Sequence, residues 1–305
     1  MLRKTYVRTV LSAFPSKLCC ISPRLLKRKG HNGREISKKY MPLQNNSSEI
    51  RLAILNPASN FEADIELHLV HSSLRGSRCN VPGEENIASP PRYSALSYVW
   101  GDNKITKPII LNGQETTVTS NLESALRHLR LENDERRLWI DALCINQDDI
   151  PERNDQILLM RDIYVMAEKV IVWLGDAGPN SGFAMNFVSE HVNIDGGTLD
   201  EEKMLDSLKE DGAPLAFETL GGDLLKRSWW RRIWVVQEIA CSTCAIVRCG
   251  PYEVSWDKLV FALVFSERNH VYTNQLTKEE IERGAFVACR NSLITKRLAM
   301  QKNKE

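Results

Sequence analysis

The hydrophobic positions of this chain fall into short runs of period two or continuous apolar stretches, separated by segments of period 3.6, and that alternation predicts the fold class. Residues 50–55 and 64–70 read as strands, the second placing Ile65, Leu67 and Leu69 on one face. Tyr93–Val99 and Leu138–Leu143 read as further strands, and Lys169–Leu174 is β-branched enough to be buried on both faces. Ile109–Leu111 and Thr116–Val118 flank Asn112-Gly113, the signal of a type I′ hairpin. Between these lie two helices. One opens on the capping-box spacing Ser120-x-x-Glu123 and carries Leu122, Ala125, Leu126 and Leu129 on one stripe. The other opens on Asp149-x-x-Glu152 and places Ile157, Met160, Ile163, Tyr164 and Ala167 on its inner face. Strand, helix, strand, helix, strand predicts an α/β domain with a mostly parallel sheet and flanking helices. Beyond Gly175 the pattern is helical near 181–193, 201–209, 227–241, 255–268 and 278–300, with one strand at 244–249, so a helical C-terminal extension is expected.

Composition changes this picture at the N-terminus. Lys+Arg 40 against Asp+Glu 39 looks balanced, yet residues 1–40 hold eleven of the bases and one acid, Glu35. A basic arm thus precedes an acidic body. Its Arg-rich, acid-poor start has the composition of a mitochondrial transit peptide, and Lys27-Arg28-Lys29 could touch RNA or nucleus-directed carriers; the plain alternative is an unstructured leader without an address. Residues 1–49 are read as this basic leader and linker, 50–270 as the folded α/β domain and 271–305 as a C-terminal helix or tail. The longest apolar run, Leu259–Phe265, is far short of the roughly 20 residues of a membrane helix, which points to a soluble, cytoplasmic chain without a membrane span. Eight scattered cysteines without a secretory signal indicate a reducing compartment.

In a parallel sheet, ligands bind beyond the carboxyl ends of the strands. Three such ends carry polar chemistry here: Trp100-Gly101-Asp102 after the first, Asp141 with Asn146-Gln147 on the second, and Gly175-Asp176 after the third. Asp141 interrupts an apolar strand, so it either braces a loop through backbone N–H groups or serves a site. Glu152 is a helix-cap partner or a site carboxylate. Cys144 is a buried small hydrophobe or a nucleophile. Ser228–Glu238 reads as one helix with Trp230, Trp234 and Glu238 in line and Arg231 and Val235 beside them, a packing helix or one presenting Arg232 or Glu238 to a ligand. Trp139, Trp173 and Trp234 are assigned to the core. Cys241-x-x-Cys244 with Cys249 lacks a fourth ligand for zinc, and neither a dinucleotide fingerprint nor a P-loop is present, so no metal and no bound cofactor are expected.

Tyr93-Ser94-Ala95-Leu96-Ser97-Tyr98-Val99-Trp100-Gly101, then Leu138-Trp139-Ile140-Asp141-Ala142-Leu143-Cys144-Ile145-Asn146-Gln147, then Glu152-Arg153 and Val172-Trp173-Leu174-Gly175 resemble the successive motifs of the fungal heterokaryon incompatibility (HET) domain. Arg232–Glu238 resembles its later block. The resemblance implies a flavodoxin- or TIR-like sheet and a role in non-self recognition and regulated cell death. It implies self-association or an incompatibility partner protein and no specific nucleic acid. By analogy with TIR domains that cleave NAD at the nicotinamide bond, it implies NAD as a substrate. On that reading Glu152 is the catalytic carboxylate with Asp141 as its understudy, and Trp100 is an aromatic wall. Asn146 and Gln147 are ribose or phosphate contacts, and Gly101, Asp102, Arg153, Arg232 and Glu238 complete the ligand-binding set. The competing expectation is a non-catalytic signalling module that recruits partners.

Overall fold

The computed structural model describes residues 40–43, 48–74, 91–195, 198–199, 201–232 and 235–268. The basic leader up to residue 39, most of the linker, the loop 75–90, the helix at 278–300 and the tail beyond 268 lie outside the described residues.

Among the described residues, nine strands form one sheet. In chain order they are β1 (Glu49–Leu55), β2 (Glu66–Ser73), β3 (Ser94–Tyr98), β4 (Thr106–Leu111), β5 (Gln114–Thr119), β6 (Arg136–Trp139) and β7 (Lys169–Trp173), followed after a two-stranded ribbon, β8 (Ile194–Asp195) and β9 (Thr198–Leu199), by β10 (Ala245–Cys249) and β11 (Tyr252–Ser255). The spatial order is β11-β10-β7-β3-β6-β1-β2-β4-β5. Four central strands, β10, β7, β3 and β6, are mutually parallel. The expectation of a mostly parallel sheet needs correction: β1 runs antiparallel to both β6 and β2, and β11 and β5 close the edges as antiparallel hairpins, so the sheet is mixed. The cause lies in the connections, since β4–β5 and β10–β11 are joined by turns too short for a crossover.

The parallel centre is buried on both faces. Val170, Ile171, Val172 and Trp173 have no exposed surface, and neither does Trp139 on β6. The β4–β5 turn has both central residues at positive φ, Asn112 at 54° and Gly113 at 73°, as type I′ requires.

The helices are α1 (Ser120–Leu129), the single turn α2 (Asp141–Cys144), α3 (Ile150–Met166), α4 (Ser181–His191), α5 (Glu201–Ser207), α6 (Ala213–Gly222), α7 (Val235–Ala240) and α8 (Trp256–Arg268). Helix α1 buries Leu122, Ala125, Leu126 and Leu129, but its cap is Thr119, whose side chain accepts from the Leu122 N–H, rather than Ser120. Glu123 is thereby released from capping and is buried beneath Lys107 and Arg127. The cap of α3 is Asp149, accepting from the Glu152 N–H at 3.1 Å. Its inner face is Gln156, Ile163 and Tyr164, whereas Ile157 is 43% exposed. Two hydroxyls tie α3 to the sheet: Tyr93 donates to the Ile163 carbonyl at 2.6 Å and Tyr164 to the Leu96 carbonyl at 3.3 Å.

Two further expectations are corrected. The strand from Leu138 ends at Trp139, and Asp141 opens the turn α2, its own Oδ1 accepting from the Ala142 N–H at 2.7 Å. The Ser228–Glu238 segment is not one helix: a 3-10 turn covers Ser228–Arg231, Arg232 is extended (φ −79°, ψ 129°), and α7 begins at Val235. The indoles break the helix. Trp229 donates to Ser97 and Trp230 to the Leu224 carbonyl, and both rings pack on Trp256, which a continuous helix could not arrange. Ile233 and Trp234 lie outside the described residues.

Candidate functional site

The carboxyl ends of β3 and β7 are drawn together by one side chain. Asn121 at the start of α1 donates to the Val99 carbonyl at 2.6 Å and accepts from the Trp173 indole at 3.0 Å. Gly101 crosses Asn121 at φ 84°, where an added Cβ would lie 3.4 Å from the Asn121 Cβ. The chain can therefore turn sharply at Gly101, directly after Trp100.

Trp100 is 44% exposed, and its indole N–H donates to Asp141 Oδ2 at 2.8 Å. The buried Tyr98 hydroxyl faces the same carboxylate. Beneath lies a second acid, Glu238, 1% exposed, which accepts from the Ser97 hydroxyl. Ser97 in turn accepts from the Trp229 indole at 2.9 Å, so its orientation is fixed. Arg232 reaches Glu238 at 3.3 and 3.5 Å and also attracts Asp141.

The two acids behave accordingly. Burial pushes the Asp141 carboxyl up, against the hydrogen bond from Trp100 and the attraction of Arg232. Burial likewise pushes Glu238 up, against Arg232 and Ser97, and the charge of Asp141 adds to the rise. For an acid with a raised folded pKa, the native state holds the proton more tightly than the unfolded chain. The stabilisation is full below the ordinary values of 3.8 and 4.5 and is lost as pH rises through the raised ones.

Glu152 belongs to a different cluster. Its two oxygens accept from Arg51 at 2.6 and 2.9 Å, and Oε1 also accepts the Asn146 N–H at 2.7 Å. Arg51, 1% exposed in the middle of β1, further donates to the carbonyls of Cys144 at 3.2 Å and Met41 at 2.5 Å. Tyr40 lies 5.1 Å from its guanidinium. This is a lock joining β1, the loop after α2 and the start of α3. Gln147 links the lock to the first cluster, donating from Nε2 to the Asp141 carbonyl at 2.8 Å, while Arg153 donates to the Gln147 carbonyl at 3.4 Å. Asp102 caps its own turn, accepting the Lys104 N–H at 2.9 Å. Trp100, Asp141, Arg232 and Glu238 are therefore brought together. Glu152, Asn146 and Arg153 stand with Arg51, and Asp102 stands apart.

Arg51, Ser97 and Tyr98 were not singled out from the sequence. The first had a signal: a lone arginine within the apolar run Ile50–Leu55 has to be paired if the strand is buried. Cys144 is fully buried, and burial pushes its thiol up to about 12, so it is protonated at neutral pH and poorly suited to attack. Among the described residues, no group of three or more His, Cys, Asp or Glu is arranged to hold a metal ion.

Fold and site define an α/β protein whose central parallel strands end in a carboxylate-bearing edge. Residues 93–238 match the heterokaryon incompatibility protein (HET) family, so the chain carries a HET domain. It is 32% identical over 267 residues to heterokaryon incompatibility protein 6, OR allele, of Neurospora crassa. The aligned region covers 76% of this chain and 37% of that relative, so the chain spans well under half the length of the curated protein it matches. No solved structure matches it. No helix among the described residues is long and apolar enough to cross a membrane.

Proposed function

We propose that this chain acts in fungal heterokaryon incompatibility as a cytoplasmic effector of cell death, and that its chemistry is hydrolysis of the nicotinamide N-glycosidic bond of NAD at the Trp100–Asp141 edge. The observation that carries this reading is a partly exposed carboxyl group, Asp141, held by a half-exposed indole just beyond a parallel strand, above a buried carboxyl group, Glu238, that is paired with Arg232. Perturbed acid pairs in such positions are a mark of functional sites. The four parallel strands follow one another in space as second, first, third, fourth, the order of flavodoxin-like sheets, which supports a TIR-like ancestry.

In the proposed reaction the bond between C1′ and the pyridinium nitrogen breaks with its electron pair passing to the ring, so nicotinamide leaves neutral. A water oxygen bonds to C1′ and its proton passes to solvent. Asp141 stabilises the positive charge that develops on the ribose, Trp100 forms the wall for the base, and Arg232 with Glu238 sets the Asp141 charge. Glu152 holds the Asn146–Gln147 loop in register behind it. The test is nicotinamide release from NAD by the purified chain. Asp141→Asn should reduce turnover by a factor of about 10² to 10³ while leaving the circular dichroism spectrum unchanged; turnover equal to wild type would refute the assignment.

One observation favours the assembly reading instead. Helix α3 presents Ile150, Ile157 and Leu158 at 58%, 43% and 81% exposure, an apolar face suited to a second copy or a partner. If assembly is the mechanism, toxicity on expression persists in Asp141→Asn and is lost in Leu158→Asp. The enzymatic reading expects the opposite pair of results.

A further inference from the structure

A cleft of about 510 Å³ opens beside α1 and shares no residue with the acid pair. Its size is that of a small-molecule site. The floor is Glu123, 2% exposed, which takes Lys107 Nζ at 2.9 Å and Arg127 Nε at 2.8 Å. Burial would raise its pKa, but Lys107 and Arg127 outweigh burial and hold the carboxyl below its ordinary value. Arg127 also donates to the carbonyls of Phe61 and Ala63. Arg127 is therefore committed to the protein, while Lys107, its side chain 54% exposed, is anchored by Glu123.

The remaining groups are mostly acceptors. Asp176, at the carboxyl end of β7, is exposed and held by the Ser124 hydroxyl. Glu62 is exposed at the opposite wall. His128 Nδ1 lies 3.0 Å from the Ser124 carbonyl, which can only accept, so in its neutral form the ring offers Nε2 as a further acceptor. The three carboxylates outnumber the two cations, so a phosphate or other anion meets a net negative charge. A hydroxyl-bearing ligand would find charge-assisted acceptors for vicinal O–H groups. The apolar wall is Phe61, 48% exposed, whose ring is steadied by His128 at 5.1 Å and Arg127 at 5.7 Å.

We propose that this cleft binds an uncharged sugar ring, with vicinal hydroxyls on Asp176 and Glu62 and its C–H face against Phe61. The proposal is independent of the NAD reading, because it concerns binding and uses none of the residues assigned to hydrolysis. Such a ring could come from a nucleoside or from a hexose.

Isothermal titration of the full chain with adenosine, glucose, maltose, adenosine monophosphate and inorganic phosphate tests it. At least one of the three uncharged probes should bind, and phosphate should not. Adenosine monophosphate should bind at least about tenfold more weakly than adenosine if the nucleoside is the source, and glucose or maltose should bind best if the hexose is. Asp176→Asn and Phe61→Ala, each checked for folding by circular dichroism, should each weaken the binding probe about tenfold or more. Failure of all three uncharged probes, tighter binding of a phosphorylated probe, or indifference to both substitutions would overturn the proposal.

Discussion

Glu152→Gln is expected to destabilise this protein by about 3–5 kcal/mol, the usual consequence of removing one member of a buried ion pair. The substitution keeps the shape and leaves an oxygen for the Asn146 N–H, but it strands the Arg51 charge at 1% exposure. Among the described residues Arg51 then faces neutral groups alone, the carbonyls of Cys144 and Met41, the Tyr40 ring and the glutamine oxygen. Urea unfolding should show a lower midpoint with an unchanged slope. The paired variant Arg51→Met/Glu152→Leu should lie closer to wild type than either single change, because no buried charge is left without a partner. Equal stability of wild type and Glu152→Gln would show that the lock is not a structural element.

Arg232→Met should be nearly as damaging at neutral pH and much less so in acid. It removes the guanidinium that pairs with Glu238 and attracts Asp141, two carboxyls already pushed up by burial. At pH 7 a loss of about 3–5 kcal/mol is expected. As pH falls through their raised values both acids take up protons, and the neutral forms no longer need the cation. The difference between wild type and variant should therefore shrink steadily towards pH 4, followed by thermal or urea unfolding across that range. A difference that stays constant with pH would mean that Arg232 acts by packing alone.

Much of the fold was legible because it rests on local signals. The buried strand Lys169–Trp173, the Asn112-Gly113 turn and the Asp149 cap each follow from a few neighbouring residues. What was not legible depends on contacts far apart in the chain. The direction of β1 cannot be inferred from its hydrophobicity, and β1 together with the two edge hairpins makes the sheet mixed. The break at Arg232 follows from where Trp229 and Trp230 find acceptors, at Ser97 and Leu224, and helical periodicity says nothing about either.

The same distinction explains the candidate site. Trp100, Asp141, Arg232 and Glu238 could each be picked out as polar or amphipathic residues near strand ends. Their grouping required knowing that Arg232 is extended and that Gly101 turns back over Asn121. In one dimension Glu152 ranks ahead of Asp141 as the catalytic carboxylate. In three, Arg51 takes up both oxygens of Glu152, while Asp141 meets the half-exposed Trp100.

The most direct measurement is nicotinamide release from NAD by three purified chains: wild type, Asp141→Asn, and Arg51→Met/Glu152→Leu. We expect release by wild type, its near-complete loss in Asp141→Asn, and its retention within about tenfold in the paired variant, since the lock shapes the edge without touching the reacting atoms. No release by wild type, or loss in the paired variant with survival in Asp141→Asn, would contradict this account.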